Sequence, residues 1–126
     1  GFFDDGSPPD PLEGIWGGRY PPTYSTFQDS AQWTFSDNGA YLLTSYKDGV
    51  FFDRIVGYFE ASGRILTLSE EPAGGGLTED LLYRITIDDE LELTIQRGGG
   101  ETVTYVRLGD SEDARQFQIS DQNSPN

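Results

Sequence analysis

The sequence has no cysteine and no histidine among its 126 residues. Without cysteine the chain has no disulfide, no thiolate nucleophile and no cysteine zinc site. Without histidine it lacks the commonest general base and the commonest transition-metal ligand. We therefore expect a protein that is not an enzyme and that uses neither a metal nor a cofactor.

Basic residues and long apolar runs are also scarce. Eight Lys and Arg residues, of which only Lys47 is a lysine, stand against 22 acids, and the formal net charge is −14. A surface this negative repels phosphate backbones, so we expect no nucleic-acid partner. No apolar run approaches the ~18 residues of a membrane-spanning helix and no signal peptide is recognisable, so we expect no direct membrane insertion. A solubilising surface, adaptation to high salt and a cationic partner all remain open as reasons for the acidity.

Most of the chain instead shows apolar residues that alternate with polar ones at a period of two, which is typical of half-buried strands. Turn sequences such as Asp37-Asn38-Gly39 and Lys47-Asp48-Gly49 separate these segments. Residues 70–80, which include three consecutive glycines, are predicted to be a looser connection. The predicted strands are 15–20, 31–36, 40–46, 50–60, 64–69, 83–88, 91–95 and 103–107.

Short connections pair each strand with its predecessor in antiparallel orientation. A flat meander of eight strands would leave two open edges and a bare apolar face, and closure removes both. The sequence therefore predicts an all-β fold, an eight-stranded antiparallel up-and-down (meander) barrel over 12–108, with a two-sheet sandwich as the main alternative. Residues 1–11 are expected to be a flexible acidic, Pro-rich leader or tether, and 109–126 an acidic, mostly flexible tail.

The inward-facing positions of these strands are rich in aromatic residues. Tyrosine hydroxyls among them would orient a hydrophobic or heterocyclic ligand in an apolar pocket. The alternative is a barrel filled by its own side chains, which would act as a protein-interaction or structural module. The candidates for lining a pocket are Trp33, Tyr41, Phe51, Phe59, Tyr83 and Tyr105.

Four motifs follow one another along the predicted meander: Leu12-Glu13-Gly14-Ile15-Trp16, the hairpin Phe35 to Gly39, Gly57-Tyr58-Phe59, and a late arginine, Arg107. In this order they resemble the lipocalin-like domains of bacterial secreted proteins and lipoproteins, within the calycin group. The resemblance implies that Gly14, Trp16 and Arg107 close one end of the barrel, with the arginine packed across the indole. It also implies an extracytoplasmic monomer, with a lipid tether upstream of residue 1, that binds a small hydrophobic ligand.

Acidic residues cluster in predicted turns, at 70–71, 79–80, 88–90 and 110–113. A pair of carboxylates in a groove is what glycoside hydrolysis requires, so a hydrolase that uses surface carboxylates is the third and most distant alternative. Aspartate is also favoured in turns for its backbone geometry, and no segment has the spacing of an EF-hand loop. The glycine triplets 74–76 and 98–100 are predicted as loops, because no helix and no Lys-Ser/Thr follows either.

Overall fold

The computed structural model of the chain, which describes residues 11–21, 26–95 and 100–110, is a closed barrel. Its eight antiparallel strands follow one another in chain order, and the last pairs with the first. The predicted fold class is confirmed, and the two-sheet sandwich is excluded. The strands are β1 (Gly14–Arg19), β2 (Ser30–Phe35), β3 (Ala40–Lys47), β4 (Val50–Ser62), β5 (Ile65–Glu71), β6 (Gly75–Ile85), β7 (Glu90–Ile95) and β8 (Thr102–Gly109).

Some of the predicted segments lie outside the described residues. They are the leader up to residue 10, the tail from residue 111 and most of the second glycine triplet. The one helical element among the described residues is a 3₁₀ turn, Pro72–Gly74. Accordingly, the described part of the chain contains no helix long and apolar enough to cross a membrane.

The predicted hairpin turns form where the sequence places residues that tolerate a positive φ. Asp48 and Gly49 have φ values of 54° and 78° and connect the paired residues Lys47 and Val50. Two consecutive positive φ angles define a type I′ turn, whose twist matches that of the flanking strands. The Asp37-Asn38-Gly39 turn is also present, with Gly39 at φ 86°.

The prediction for residues 70–80 is wrong. β5 continues to Glu71, the connection is the short turn Pro72–Gly74, and β6 already begins at Gly75. Leu68 pairs with Glu79 in this ladder. The beginning of β6 lacks a clear alternation of apolar and polar residues in the sequence. Its apolar residue, Leu77, is 76% exposed and so belongs to no buried face.

The core lies inside the barrel and is built around aromatic rings. The Trp33 ring stacks on Phe35 at 5.3 Å between centroids, and Phe35 in turn meets Phe59 edge-on at 5.0 Å. Leu12 and Leu81 are also buried in the core, although both lie outside the predicted strands. The buried apolar residues are Leu12, Trp16, Ala31, Trp33, Phe35, Ala40, Tyr41, Leu66, Leu68, Leu81, Leu91, Leu93, Val103 and Tyr105.

The two ends of the barrel differ. At one end, which we call the closed end, the chain segment before β1 buries Leu12 against the core. The β2–β3, β4–β5 and β6–β7 turns lie at this same end, because the strands run alternately up and down. The β1–β2, β3–β4, β5–β6 and β7–β8 connections lie at the opposite end, the open end.

Candidate ligand-binding site

The barrel encloses an interior cavity of about 230 Å³. Its walls come from all eight strands except β1, together with residues of the β1–β2 connection. The apolar part of the wall is mostly aromatic and leucine, and the polar part lies toward the open end. The lining residues are Tyr20, Gln28, Trp33, Tyr41, Leu43, Ser45, Ile55, Leu68, Glu79, Leu81, Leu93, Ile95, Val103 and Tyr105.

Trp33 is the centre of the aromatic wall. Its ring lies 5.7 Å from Tyr41 and 6.4 Å from Tyr105, centroid to centroid, and the contact with Tyr105 is edge-on. Parity directs the Trp33 side chain inward, and Tyr41 lies on the neighbouring strand β3. Tyr105 lies on β8, on the other side of β1, where Gly18 leaves room for its ring: a Cβ at Gly18 would lie 2.9 Å from Tyr105. Edge-on and tilted aromatic contacts hold rings in fixed orientations, so the wall is a rigid surface for a planar group.

The indole N–H of Trp33 is a buried donor without an acceptor. Among the described residues, Nε1 of Trp33 is the buried side-chain nitrogen or oxygen atom for which no hydrogen-bond partner is found. Trp33 itself is 5% exposed. An unpaired buried donor costs about 1–3 kcal/mol, so an acceptor placed at this nitrogen would recover a substantial free energy.

The hydroxyls of Tyr20 and Tyr41 belong to the polar part of the cavity, together with Gln28, Ser45 and Glu79. Burial raises the pKa of Tyr20, while hydrogen bonds with Tyr105 and Ser45 act in the opposite direction. Burial also raises the pKa of Tyr41, and the negative charges of Glu79 and Glu70 raise it further. Both phenols therefore stay protonated at neutral pH and can donate or accept a hydrogen bond.

Glu79 does not lie in a surface turn, as the acidic cluster at 79–80 predicts. It lies in β6 opposite Leu68, is only partly exposed and lines the cavity. The signal was available, because Glu79 continues the parity of Leu81, Tyr83 and Ile85 back along the strand. The glycine triplet 74–76 and the neighbouring acidic residues interrupt the apolar alternation, so the sequence pattern does not extend the strand back to Glu79.

Three of the six predicted pocket residues line the interior cavity, and the other three do not. Trp33, Tyr41 and Tyr105 line the interior cavity. Phe59 belongs to the packed core without lining the cavity, and Tyr83 faces a shallow groove at the closed end beside Pro11.

Phe51 requires a correction, because it is 57% exposed and not inside the barrel. A register shift in the β3–β4 ladder pairs it with Tyr46 and so reverses its parity, and it also lies beyond the part of β4 that β5 covers. Ile55 keeps the inward parity and lines the cavity, but it remains 46% exposed because β5 does not pair with this part of β4.

The closed end is sealed by Trp16 and Arg107, which face each other across the β1–β8 pair. The guanidinium carbon lies 4.2 Å from the centroid of the Trp16 ring, a cation–π contact. Trp16 is fully buried, and its Nε1 donates to the Leu12 carbonyl at 2.8 Å. Gly14 is required beside them, because a Cβ at this position would lie 2.5 Å from an Arg107 nitrogen.

The guanidinium N–H groups of Arg107 also form hydrogen bonds with the segment that precedes β1. Nη1 donates to the Glu13 carbonyl at 2.9 Å and Nη2 to the Pro11 carbonyl at 2.7 Å. Its Nε also donates to Asp89 Oδ2 at 2.6 Å. One side chain therefore joins the first strand, the last strand and the β6–β7 turn at the closed end.

Several carboxylates of the described residues have ion-pair or hydrogen-bond partners. Asp89 pairs with Arg107, Glu92 with Arg84, and Asp80 accepts a hydrogen bond from the Thr67 hydroxyl at 2.8 Å. Within the ranges that the structure describes, no three acidic side chains converge as metal ligands would. These acids have contacts that stabilise strands and turns.

Neither a scan of known protein-family models nor a search of curated proteins finds a match for this chain. The class of the protein is therefore defined by its own architecture. It is a closed, eight-stranded, antiparallel up-and-down barrel with a small interior cavity, and this architecture is compatible with a lipocalin-like fold.

Proposed function

We propose that the protein is a non-enzymatic, lipocalin-like binding domain that takes a small planar ligand, apolar or heterocyclic, into its interior cavity. The observation that carries the proposal is the unpaired indole N–H of Trp33 in an aromatic wall. A ligand that presents an acceptor to this nitrogen would satisfy the donor and stack on rings that are already held in place.

The size of the cavity limits the ligand. Pockets for drug-sized molecules measure roughly 300–1,000 Å³, and the interior cavity, at about 230 Å³, is smaller. Eight-stranded barrels have interiors that side chains fill or that hold one small ligand. We therefore propose a ligand of one or two fused rings, in preference to a long fatty acid.

The lipocalin-like assignment rests on the closed end. The Gly14, Trp16 and Arg107 arrangement occupies the positions that the resemblance assigns to it, on the first and last strands. Membership of that family, an extracytoplasmic location, a lipid tether and a monomeric state are proposals that follow from the resemblance. The net charge of −14 agrees with a domain that binds neither nucleic acid nor anionic lipid.

A pair of isosteric probes tests the role of Trp33. Quinoline and naphthalene have nearly the same shape, but only quinoline carries a ring nitrogen that accepts a hydrogen bond. We expect both to raise the melting temperature, quinoline at lower concentration, and quinoline to shift the indole N–H resonance of Trp33 but not that of Trp16. A ligand at 100 times its dissociation constant stabilises the folded state by about 2.7 kcal/mol.

The matched variant is Trp33→Phe, which keeps an aromatic ring and removes the donor. It should bind the two probes with equal affinity. If wild-type protein shows no thermal shift and no change at the Trp33 resonance with either probe, the binding proposal is wrong and the filled barrel is favoured. If both probes bind equally to wild type, the donor does not select the ligand.

A further inference from the structure

One strand of the barrel has an incomplete pairing. β4 is 13 residues long, and it pairs with β3 from Val50 to Tyr58. Its pairing with β5 covers only Tyr58 to Ser62. Among the described residues, the half of β4 before Tyr58 therefore has a neighbouring strand on one side only. β5 pairs with β6 along its whole length, with a register shift between Ser69 and Glu71, and it ends two residues beyond Ser69, the partner of Tyr58.

The backbone groups along this half of β4 point into the resulting gap. The Phe59 N–H donates to the Gly39 carbonyl on the β3 side at 2.8 Å. Since alternate residues of a strand direct their N–H groups to opposite edges, those of Arg54 and Val56 face the β5 side. The alternation ends at Phe52, because the pairing with β3 shifts register between Asp53 and Phe51. The Arg54 N–H is satisfied locally by the Asp53 carboxylate at 2.8 Å. The edge thus has the geometry of a strand that can accept another strand.

The gap is bordered by exposed apolar side chains. On the β4 side Val56 is 65% exposed, and on the β6 side Leu77 is 76% exposed. Between the two sides runs a cleft of about 830 Å³ whose floor includes Tyr41 and Leu68. The further exposed apolar residues of β4 are Val50, Phe51, Phe52 and Ile55. Contiguous apolar surface on a monomer commonly marks an interaction site.

The rim of the cleft is acidic. Glu70, Glu79 and Asp80 line it, and the nearby base on β4 is Arg54. A second copy of the chain would bring another −14 charges to this rim, and repulsion opposes that association. The same carboxylates attract a partner segment that carries basic residues.

We propose that the cleft beside β4 binds an extended segment of a partner protein in which basic and apolar side chains alternate. The segment adds as a strand along Arg54 to Val56, with backbone hydrogen bonds to the open edge of β4. Its apolar side chains cover the exposed patch, and its basic side chains meet the carboxylates of Glu70, Glu79 and Asp80. This is strand addition, a known mode of peptide recognition, and it goes beyond the small-ligand function proposed for the interior.

The test uses fluorescein-labelled heptapeptides of alternating lysine and valine, measured by fluorescence anisotropy at physiological ionic strength. The first control peptide has the same sequence with alternate backbone amides N-methylated, so that it keeps its charge but cannot pair as a strand. The second replaces lysine by glutamate. We expect the unmodified peptide to bind at least about tenfold tighter than either control. Amide resonances of residues 52–56 and 77–80 should shift.

Variants of the protein separate strand pairing from charge. Val56→Pro removes an N–H that faces the gap, whereas Val56→Thr keeps it, so only the proline should weaken binding. The pair Glu79→Gln and Asp80→Asn should weaken it as well. The pair Asp37→Asn and Asp88→Asn, at turns of the closed end, makes the same change in net charge and should not.

The proposal is overturned if the unmodified peptide does not bind, or if the N-methylated peptide binds equally well. It is also overturned if the closed-end pair weakens binding as much as the cleft pair, because the attraction is then one of overall charge. A concentration-dependent dimer in sedimentation experiments that Val56→Pro abolishes would make a second copy the occupant. If Val56→Pro does not fold, the comparison of peptides on the wild-type protein still decides the question.

Discussion

Replacement of Arg107 by lysine is the most direct test of how the closed end is held together. Arg107→Lys keeps the positive charge and most of the aliphatic stem but replaces the planar, five-donor guanidinium by a single ammonium. In the structure the guanidinium covers Trp16 at 4.2 Å, reaches the carbonyls of Glu13 and Pro11, and pairs with Asp89. One ammonium nitrogen cannot occupy all of these positions.

The magnitude follows from the contacts that are lost. A hydrogen bond to a charged group contributes about 1.5–3 kcal/mol, and Arg107 donates to two backbone carbonyls. The ion pair with Asp89, whose side chain is 52% exposed, contributes at most ~1 kcal/mol. If lysine keeps one carbonyl contact, we expect Arg107→Lys to lower the free energy of unfolding by about 2–4 kcal/mol. That is a large share of the ~5–15 kcal/mol of a typical domain.

Urea unfolding measured by circular dichroism gives this free energy, and Arg84→Lys is the matched control. Arg84 also pairs with a carboxylate, that of Glu92, but its side chain is 58% exposed, so its replacement should cost less than ~1 kcal/mol. A double-mutant cycle with Trp16→Leu isolates the contact between guanidinium and indole. We expect a coupling energy of about 0.5–2 kcal/mol.

Two results would refute the reasoning about the closed end. In the first, Arg107→Lys is no more destabilising than Arg84→Lys, which would mean that the carbonyl contacts do not hold the segment before β1. In the second, the effects of Arg107→Lys and Trp16→Leu add within ~0.3–0.5 kcal/mol, which would mean that the two side chains are energetically independent.

Two further predictions concern charge and pH. The excess of 14 negative charges should make the melting temperature rise between low salt and several hundred millimolar NaCl, because salt screens their repulsion; an unchanged melting temperature would show that the charges are too dispersed to matter. Since burial raises the pKa of Tyr20 and Tyr41 in the folded state, their contribution to stability is complete below the unfolded value of about 10 and is lost as the pH rises above it. Urea midpoints should therefore fall at alkaline pH, and less steeply in Tyr41→Phe; equal slopes would contradict this.

The sequence by itself determined the order and type of the strands. Alternation at a period of two and short turns such as Asp48-Gly49 are local signals, and together they predict an antiparallel meander. The meander closes because a flat sheet would leave two edges open. The sequence also indicated Trp33, Tyr41 and Tyr105 as inward-facing residues, since parity along a strand is a property of the backbone.

Only the tertiary structure determines which of the side chains on alternating segments are enclosed within the barrel. Phe51 and Leu68 both belong to alternating segments, yet Phe51 is exposed. A register shift in the β3–β4 ladder pairs it with Tyr46 and so reverses its parity, and the pairing of β4 with β5 begins only at Tyr58. Glu79 lines the cavity because the register of β6 against β5 places it opposite Leu68. The volume of the cavity, the unpaired donor of Trp33 and the open edge of β4 likewise depend on register and on the distances between strands, which arise only when the sheet closes and its side chains pack.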